Sequence, residues 1–316
     1  MPAEGRVVQP SWVPADLGRI PLRGIAQVAL SPSPWTGLLF AVALFAGSWR
    51  VGVYGVLGAA ASTGAAAVLD ADRDGLAKGL EGYCGCLTAI AVVVRLGASW
   101  RTAVLAVLAA AVCAVASAAA VRLLGRLQLP ALTAPFCLVA GVLAIALPTA
   151  PAAPAPPIAA DGFTTLSAAE LGRAFCNDFA QVFLLDKWYA GLILLAGLLV
   201  ASRTAALAAA CGSVVAVLAA CAMGLPADRI SDGLYGYNAV LVAIALGATF
   251  LAPTVWTAGY ATLAAVASVP FTAAWQAFAQ PSGGSPFTWP FVVTTWLFLA
   301  AVPALDRPGI SFEKAK

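Results

Sequence analysis

The sequence predicts an all-α integral membrane protein made of two inverted repeats of five transmembrane helices. Three observations lead to this prediction. Of the 316 residues, 62% are hydrophobic and 10% are charged, whereas charged residues make up about 25% of a typical soluble domain. One stretch occurs twice, and each half of the chain contains five apolar segments. An odd number of spans forces the second half to enter the membrane from the opposite side, which inverts the repeat.

The repeated stretch shows that the chain is an internal duplication. Residues 79–91 read GLEGYCGCLTAIA and residues 233–245 read GLYGYNAVLVAIA, a separation of 154 residues. Two further landmarks recur in the same order, namely Gln-Val at 27–28 and 181–182, and the segments LTAPF at 132–136 and FTWPF at 287–291. Each landmark is a polar, glycine or proline break in apolar sequence, and we expect function to reside at these breaks.

Each repeat is expected to cross the membrane five times, because a spanning helix needs about 20 apolar residues. The predicted spans cover residues 34–49, 51–69, 82–98, 102–121 and 129–148, then 188–202, 204–224, 236–253, 255–275 and 287–304. We place the first repeat at 1–150 and the second at 162–316. The segment 151–161 between them is rich in proline and alanine, which is typical of an extended linker.

A shorter, more polar segment precedes the first span of each repeat, at Leu17–Leu30 and Leu166–Leu184. Each is too short to cross a bilayer, so it is either an amphipathic helix on the membrane surface or a re-entrant half-helix. The residues alone favour the surface helix.

The fifth span of each repeat is interrupted by prolines, at Pro130 and Pro135 and again at Pro286 and Pro290. Proline removes a backbone donor, and irregular backbone at membrane depth is tolerated only inside protein or beside a water-filled cavity. Two equivalent breaks therefore indicate a transport pathway between the repeats.

The distribution of basic residues predicts the orientation, because Lys and Arg accumulate in short cytoplasmic loops. With the amino terminus inside, 11 of the 17 basic residues lie on the cytoplasmic side and 6 on the other. We therefore expect an integral plasma (inner) membrane protein with both termini cytoplasmic.

The composition excludes several classes of function. The chain has no histidine, which removes the commonest metal ligand and the usual proton shuttle. The net charge is only +3, and nothing indicates nucleic acid or a cofactor. The seven cysteines are mostly in apolar segments and are interpreted as small core residues. Cys84 and Cys86 also match a redox or metal pair, but without histidine or a second pair this signal is weak.

These motifs together resemble the urea transporter family. The resemblance lies in GLYGYN at 233–238, LPALTAPF at 129–136, PFTWPF at 286–291 and the two Gln-Val pairs, and it extends over about residues 24–305. It implies ten transmembrane helices with two re-entrant half-helices, assembled as a homotrimer with one pore per subunit. It also implies passive passage of urea through a narrow slot.

The resemblance assigns pore roles by position. Thr133 and Thr288 are expected at the narrow centre, where hydroxyl oxygens accept hydrogen bonds from urea. The alternative for each threonine is a hydroxyl bonded to its own helix backbone. The other expected positions are the slot walls Tyr83, Leu87, Tyr237 and Leu241 and, near the mouths, Gln27 and Gln181.

The sequence also departs from the family pattern. The slot position usually held by phenylalanine, three residues after each glutamine, is Leu30 in one repeat and Leu184 in the other. Two aromatic planes are therefore missing, which puts the selectivity for urea over related amides in doubt.

Glu81 stands where an apolar residue or tyrosine is expected. A carboxylate beside a membrane helix is functional by default, and here it would accept urea N–H groups or bind a cation. Alternatively, Glu81 lies at the cytoplasmic interface near Lys78 and caps the third helix.

The leading hypothesis is a passive channel for urea or a close analogue, without enzymatic activity. The alternative is an ion- or proton-coupled transporter, which normally needs a titratable group near the midplane. The predicted spans offer essentially none. An ammonia channel would lack pore histidines, and an enzyme would lack a nucleophile and base.

Overall fold

The computed structural model describes residues 18–147, 162–305 and 309–312. The expected linker at 151–161 and both termini lie outside the described residues. The described part of the chain forms fourteen α-helices: α1 (Arg19–Gln27), α2 (Pro34–Gly47), α3 (Trp49–Val68), α4 (Arg73–Ala77), α5 (Tyr83–Leu96), α6 (Trp100–Gly125), α7 (Ala134–Ala146), α8 (Ala168–Ala180), α9 (Trp188–Ala201), α10 (Arg203–Ala222), α11 (Ala227–Ser231), α12 (Tyr237–Ile244), α13 (Val255–Ala279) and α14 (Trp289–Ala301).

Irregular helical turns extend four of these helices. A 3₁₀ turn at Gln181–Phe183 follows α8, a π-helical turn at Ala245–Thr249 follows α12, and 3₁₀ turns at Gln280–Ser282 and Val302–Ala304 follow α13 and α14.

The helices form two series of seven with similar lengths. Helices α2 and α9 both have 14 residues, α3 and α10 both have 20, α4 and α11 both have 5, and α7 and α14 both have 13. The start signals also correspond, since Ser99 caps α6 and Thr254 caps α13 by accepting the backbone N–H three residues later. The division into two repeats remains a prediction, and this order of helices supports it.

The fold is all-helical and its helices are those of an integral membrane protein. Four helices are long and apolar enough to cross a bilayer, namely α3, α6, α10 and the helix that begins with α13. The segment Ala168–Phe183 and helix α9 pass the same test together and are bent by 75°. The all-α membrane class is therefore confirmed. The count of ten transmembrane helices remains a prediction, because the other apolar helices have only 10–17 residues.

The two short helices α1 and α8 pack into the protein. All four residues of Gly24–Gln27, at the end of α1, and all four of Asn177–Ala180, at the end of α8, are buried. A helix on a membrane surface would expose one face over every turn. The surface interpretation, which the residues alone favoured, is therefore wrong for these helix ends.

Two glycines at equivalent positions allow this close packing. A Cβ atom on Gly37 of α2 would lie 1.9 Å from the carbonyl oxygen of Leu22 in α1, and a Cβ atom on Gly191 of α9 would lie 1.8 Å from that of Cys176 in α8. Each short helix thus rests directly on the backbone of the following helix.

The hydrophobic core is shared between the two series of helices. One continuous cluster of buried side chains includes residues from both. Edge-to-face aromatic pairs cross the boundary, with ring centroids 5.6 Å apart for Phe40 and Phe183 and 5.1 Å apart for Phe136 and Phe287. The second pair lies beside the two proline-containing breaks.

Candidate functional site: the junction of the two broken segments

The two broken segments meet through a pair of threonine hydroxyls. Thr133 and Thr288 are the residues that immediately precede α7 and α14, and each is followed by a proline in the first helical turn. Their Oγ1 atoms are 2.6 Å apart, and the residues are 2% and 3% exposed. Among the described residues, neither side chain caps its own helix. The alternative of a hydroxyl bonded to the backbone of its own helix is therefore not observed for these two residues.

The backbone just before each threonine is in an uncommon conformation. Leu132 has φ +50° and Phe287 has φ +44°, a left-handed conformation that few residues other than glycine adopt. Strained backbone of this kind persists where the surrounding structure enforces it, and it concentrates at functional sites. The two breaks are thus distorted in the same way.

Two tyrosines hold these distorted residues. The hydroxyl of Tyr83 donates to the carbonyl oxygen of Leu132, and that of Tyr237 donates to the carbonyl oxygen of Phe287, both at 2.5 Å. Both tyrosines are expected to be slot walls from their positions in the sequence. In addition, each tyrosine satisfies a carbonyl group that the break removes from regular helix hydrogen bonding.

A cavity of 120 Å³ adjoins the junction on the side of the second series of helices. Four residues expected in the pore line it together, namely Gln181, Leu184, Tyr237 and Thr288. Phe136 of the first series and Phe287 complete part of its wall. The volume is that of a few water molecules, at about 30 Å³ each.

The expected pore residues of the first repeat have different surroundings. Leu30 lines a separate cavity of 650 Å³ with Ser31, Ser33 and Phe250. The Gln27 side chain donates to the backbone carbonyl of Lys78 at 3.0 Å, which ties the end of α1 to the loop before α5.

The two expected leucine walls, Leu87 and Leu241, are both completely buried. Neither leucine lines the 120 Å³ or the 650 Å³ cavity.

A family model described as urea transporter matches residues 19–303 of the chain. The chain belongs to the urea transporter family. The similar curated proteins include Urea transporter 1 of Mus musculus, 31% identical over 289 residues, and Urea transporter 1 of Ovis aries, 29% identical over 289 residues. Each alignment covers 88% of this chain and 75% of the relative.

In this member of the urea transporter family, Leu30 and Leu184 also have left-handed backbone conformations, with φ +59° and +56°. They end the two short helices at equivalent positions. Leu184 shares the 120 Å³ cavity with Thr288, whereas Leu30 lines the 650 Å³ cavity. The surroundings of these two equivalent residues therefore differ.

Glu81 lies in the loop before α5, and its side chain is directed toward Gly75 and Asp72. Burial, followed by the negative charge of Asp72, raises the pKa of the Glu81 carboxyl. Its Oε2 atom has no hydrogen-bond partner in the described part of the protein, and Gly82, which precedes α5, receives no side-chain cap. Helix capping by Glu81 is thus not observed, and a role in binding urea or a cation stays a hypothesis.

One buried carboxyl group was not expected from the sequence. Asp178 in α8 is 1% exposed and accepts a hydrogen bond of 2.6 Å from the Ser213 hydroxyl. Its carboxyl atoms occupy the space that a side chain on Gly236 would need. A signal was available, because Asp178 lies 154 residues after Gly24, so that a carboxyl stands where the first repeat has glycine. Asp178 lies in a short segment outside the ten predicted spans.

Proposed function

We propose that the chain conducts urea passively across the membrane, through a pathway that passes between Thr133 and Thr288. Family membership and the similarity to proteins named Urea transporter 1 support urea as the permeant. Members of this family are transporters and not enzymes. The observation that carries the proposed pathway is the buried contact of two hydroxyls at the junction of two strained, proline-flanked breaks.

Urea suits such a junction because it is neutral and planar, with N–H donors and one carbonyl acceptor. A buried N–H group without a partner costs about 1–3 kcal/mol. The threonine oxygens supply acceptors without charge, so urea can shed water there at little cost. Because the oxygens are 2.6 Å apart, urea must separate them, and it exchanges one threonine–threonine bond for two threonine–urea bonds.

The proposed architecture is two inverted repeats, 1–150 and 162–316, with ten spanning helices and α1 and α8 as re-entrant half-helices. The matching helix lengths support it, as do the paired left-handed residues Leu30 with Leu184 and Leu132 with Phe287. The remaining pore roles of Gln27, Tyr83, Leu87, Gln181, Tyr237 and Leu241 belong to this proposal.

The proposed assembly is a homotrimer in the plasma (inner) membrane, with one pore per subunit and both termini cytoplasmic. The asymmetric distribution of Lys and Arg supports the orientation. The trimer rests on the family resemblance alone. Cross-linking of membranes that contain the protein would test the trimer, and labelling of cysteines introduced near each terminus would test the orientation.

A passive mechanism predicts that imposed ion gradients do not change transport. Urea entry into proteoliposomes, followed by stopped-flow light scattering, should have the same rate with and without a pH or Na⁺ gradient. Protein-free liposomes are the control.

Coupled transport is the second candidate, and Asp178 is the observation that favours it, because coupling needs a buried ionisable group. If either gradient accelerates entry, and the isosteric Asp178→Asn variant loses the acceleration, the passive mechanism is wrong.

Leu184 should set the size limit for the permeant. Leu184→Phe adds an aromatic plane to the 120 Å³ cavity, so flux of acetamide and methylurea should fall more than flux of urea. Leu30→Phe is the matched comparison, since Leu30 lines the larger 650 Å³ cavity, and its effect should be smaller. Equal permeability ratios in the parent and in a folded Leu184→Phe variant would show that Leu184 does not face the pathway.

A further inference from the structure

We propose that Cys137 is a positioning residue for transport, which holds the Thr288 hydroxyl ready for urea. This inference rests on the proposed function and adds a third group to the threonine pair. Cys137 lies one helical turn after Thr133 in α7, yet its sulfur contacts the threonine of the opposite series. The Sγ atom is 3.1 Å from Thr288 Oγ1, and the residue is completely buried.

Three polar side chains therefore form a chain at the junction. Thr288 lies in the middle, with Thr133 on one side and Cys137 on the other. A hydroxyl has one proton and two lone pairs, so Thr288 can serve both partners at once. When urea separates the threonines, Thr288 keeps the Cys137 thiol as a partner.

The thiol contact matters because a threonine hydroxyl that has lost its partner can form a hydrogen bond elsewhere. A free hydroxyl at a helix start can turn to a backbone group nearby, and it would then no longer face the permeant. The contact with Cys137 opposes this rotation and keeps one oxygen lone pair of Thr288 directed at the pathway. Although a thiol is a weak hydrogen-bonding group, full burial removes the competition from water.

The thiol contact has no counterpart at the matching position of the second series. The residue at the position of Cys137 in the second series, 155 residues later, is Val292. Valine is also completely buried there but offers no hydrogen bond. Thr288 is therefore held by a thiol of the opposite series, and Thr133 receives no corresponding contact from Val292. This asymmetry provides a matched control within the same molecule.

The first test compares three variants in proteoliposomes. Cys137→Ala removes the thiol and should lower urea flux by roughly two- to fivefold, which is the effect of losing one modest hydrogen bond at the barrier. Cys137→Ser keeps a hydrogen-bonding group and should stay close to the parent. Val292→Ala removes side-chain volume at the matching position and should also stay close to the parent, provided that all variants elute as folded protein.

A double-mutant comparison separates positioning from general damage to packing. Cys137→Ala should lower flux in a Thr133→Val background, where Thr288 still needs its thiol partner. It should have no effect in a Thr288→Val background, where the hydroxyl is already absent. Equal losses in both backgrounds would overturn the inference, because packing damage does not depend on the Thr288 hydroxyl.

Other results would also overturn it. Parental flux in Cys137→Ala, or a loss in Cys137→Ser as large as that in Cys137→Ala, would show that the thiol contact has no role. The Thr133→Val/Thr288→Val double variant distinguishes failure of the Cys137 inference from failure of the proposed pathway. If this variant loses flux while Cys137→Ala does not, the proposed pathway stands and only the role of Cys137 is wrong.

Discussion

Gly37→Ala and Gly191→Ala should each abolish urea transport and sharply lower the yield of folded protein. The new Cβ atom would lie 1.9 Å from the Leu22 carbonyl oxygen or 1.8 Å from the Cys176 carbonyl oxygen. Neither neighbour can rotate away, because both are backbone atoms. An extra methyl group in a packed core costs about 1–3 kcal/mol even when side chains can adjust. The cost here should reach or exceed the upper value.

The loss of transport has a direct structural cause. To accommodate the methyl group, the whole of α1 or α8 must move away from the following helix. Gln27 is the last residue of α1, and Leu30 lies three residues later. Gln181 and Leu184 lie directly after α8. Movement of either helix therefore displaces residues at the proposed mouths of the pathway. Folded yield by size-exclusion chromatography and urea flux by stopped flow would measure the two effects separately.

Two other helical glycines serve as controls. A Cβ atom on Gly141 of α7 or on Gly259 of α13 would meet no neighbouring atom within 4 Å. Alanine favours helix over glycine by up to about 1 kcal/mol, so Gly141→Ala and Gly259→Ala should fold and conduct like the parent. Parental behaviour of Gly37→Ala and Gly191→Ala would mean that the short helices do not touch α2 and α9 as described.

The Thr133→Val/Thr288→Val double variant should lose most of its urea flux and still fold. Valine keeps the shape of threonine and removes the oxygen, so urea that has shed its water meets an apolar wall. The barrier should rise by about 1–2 kcal/mol, which corresponds to a roughly five- to thirtyfold loss of flux. Each single variant should lose at most a few-fold, because it also removes the threonine–threonine bond that urea must open.

A third threonine provides the control for this substitution. The hydroxyl of Thr262 donates to the carbonyl oxygen of Ala258 in its own helix at 2.8 Å, so Thr262→Val should leave flux unchanged. Stopped-flow rates at equal protein density would measure all four variants. A folded double variant with parental flux would exclude the threonine pair as the centre of the pathway.

Much of the fold can be predicted from the order of the residues alone. An apolar composition excludes a soluble globule, and a constant separation of 154 residues identifies equivalent positions without any structure. Prolines indicate where the last helix of each series starts late, because proline removes a backbone donor. The observed starts at Ala134 and Trp289 agree with these breaks. Composition, repeat spacing and the positions of prolines are all properties of the residue order, so a single sequence is enough to identify them.

Contacts between side chains that are far apart in the chain could be identified only from the tertiary structure. Sequence position predicts that Thr133 and Thr288 are equivalent, but only helix packing brings their oxygens to 2.6 Å. The same packing buries Asp178 and directs the Cys137 sulfur to the opposite series. These contacts join residues from 35 to 155 positions apart, and helical periodicity carries no information at such distances. What the sequence determined by itself was where regular helix must stop, and the tertiary structure decided which groups meet there, because that depends on how helices pack and not on the order of residues within them.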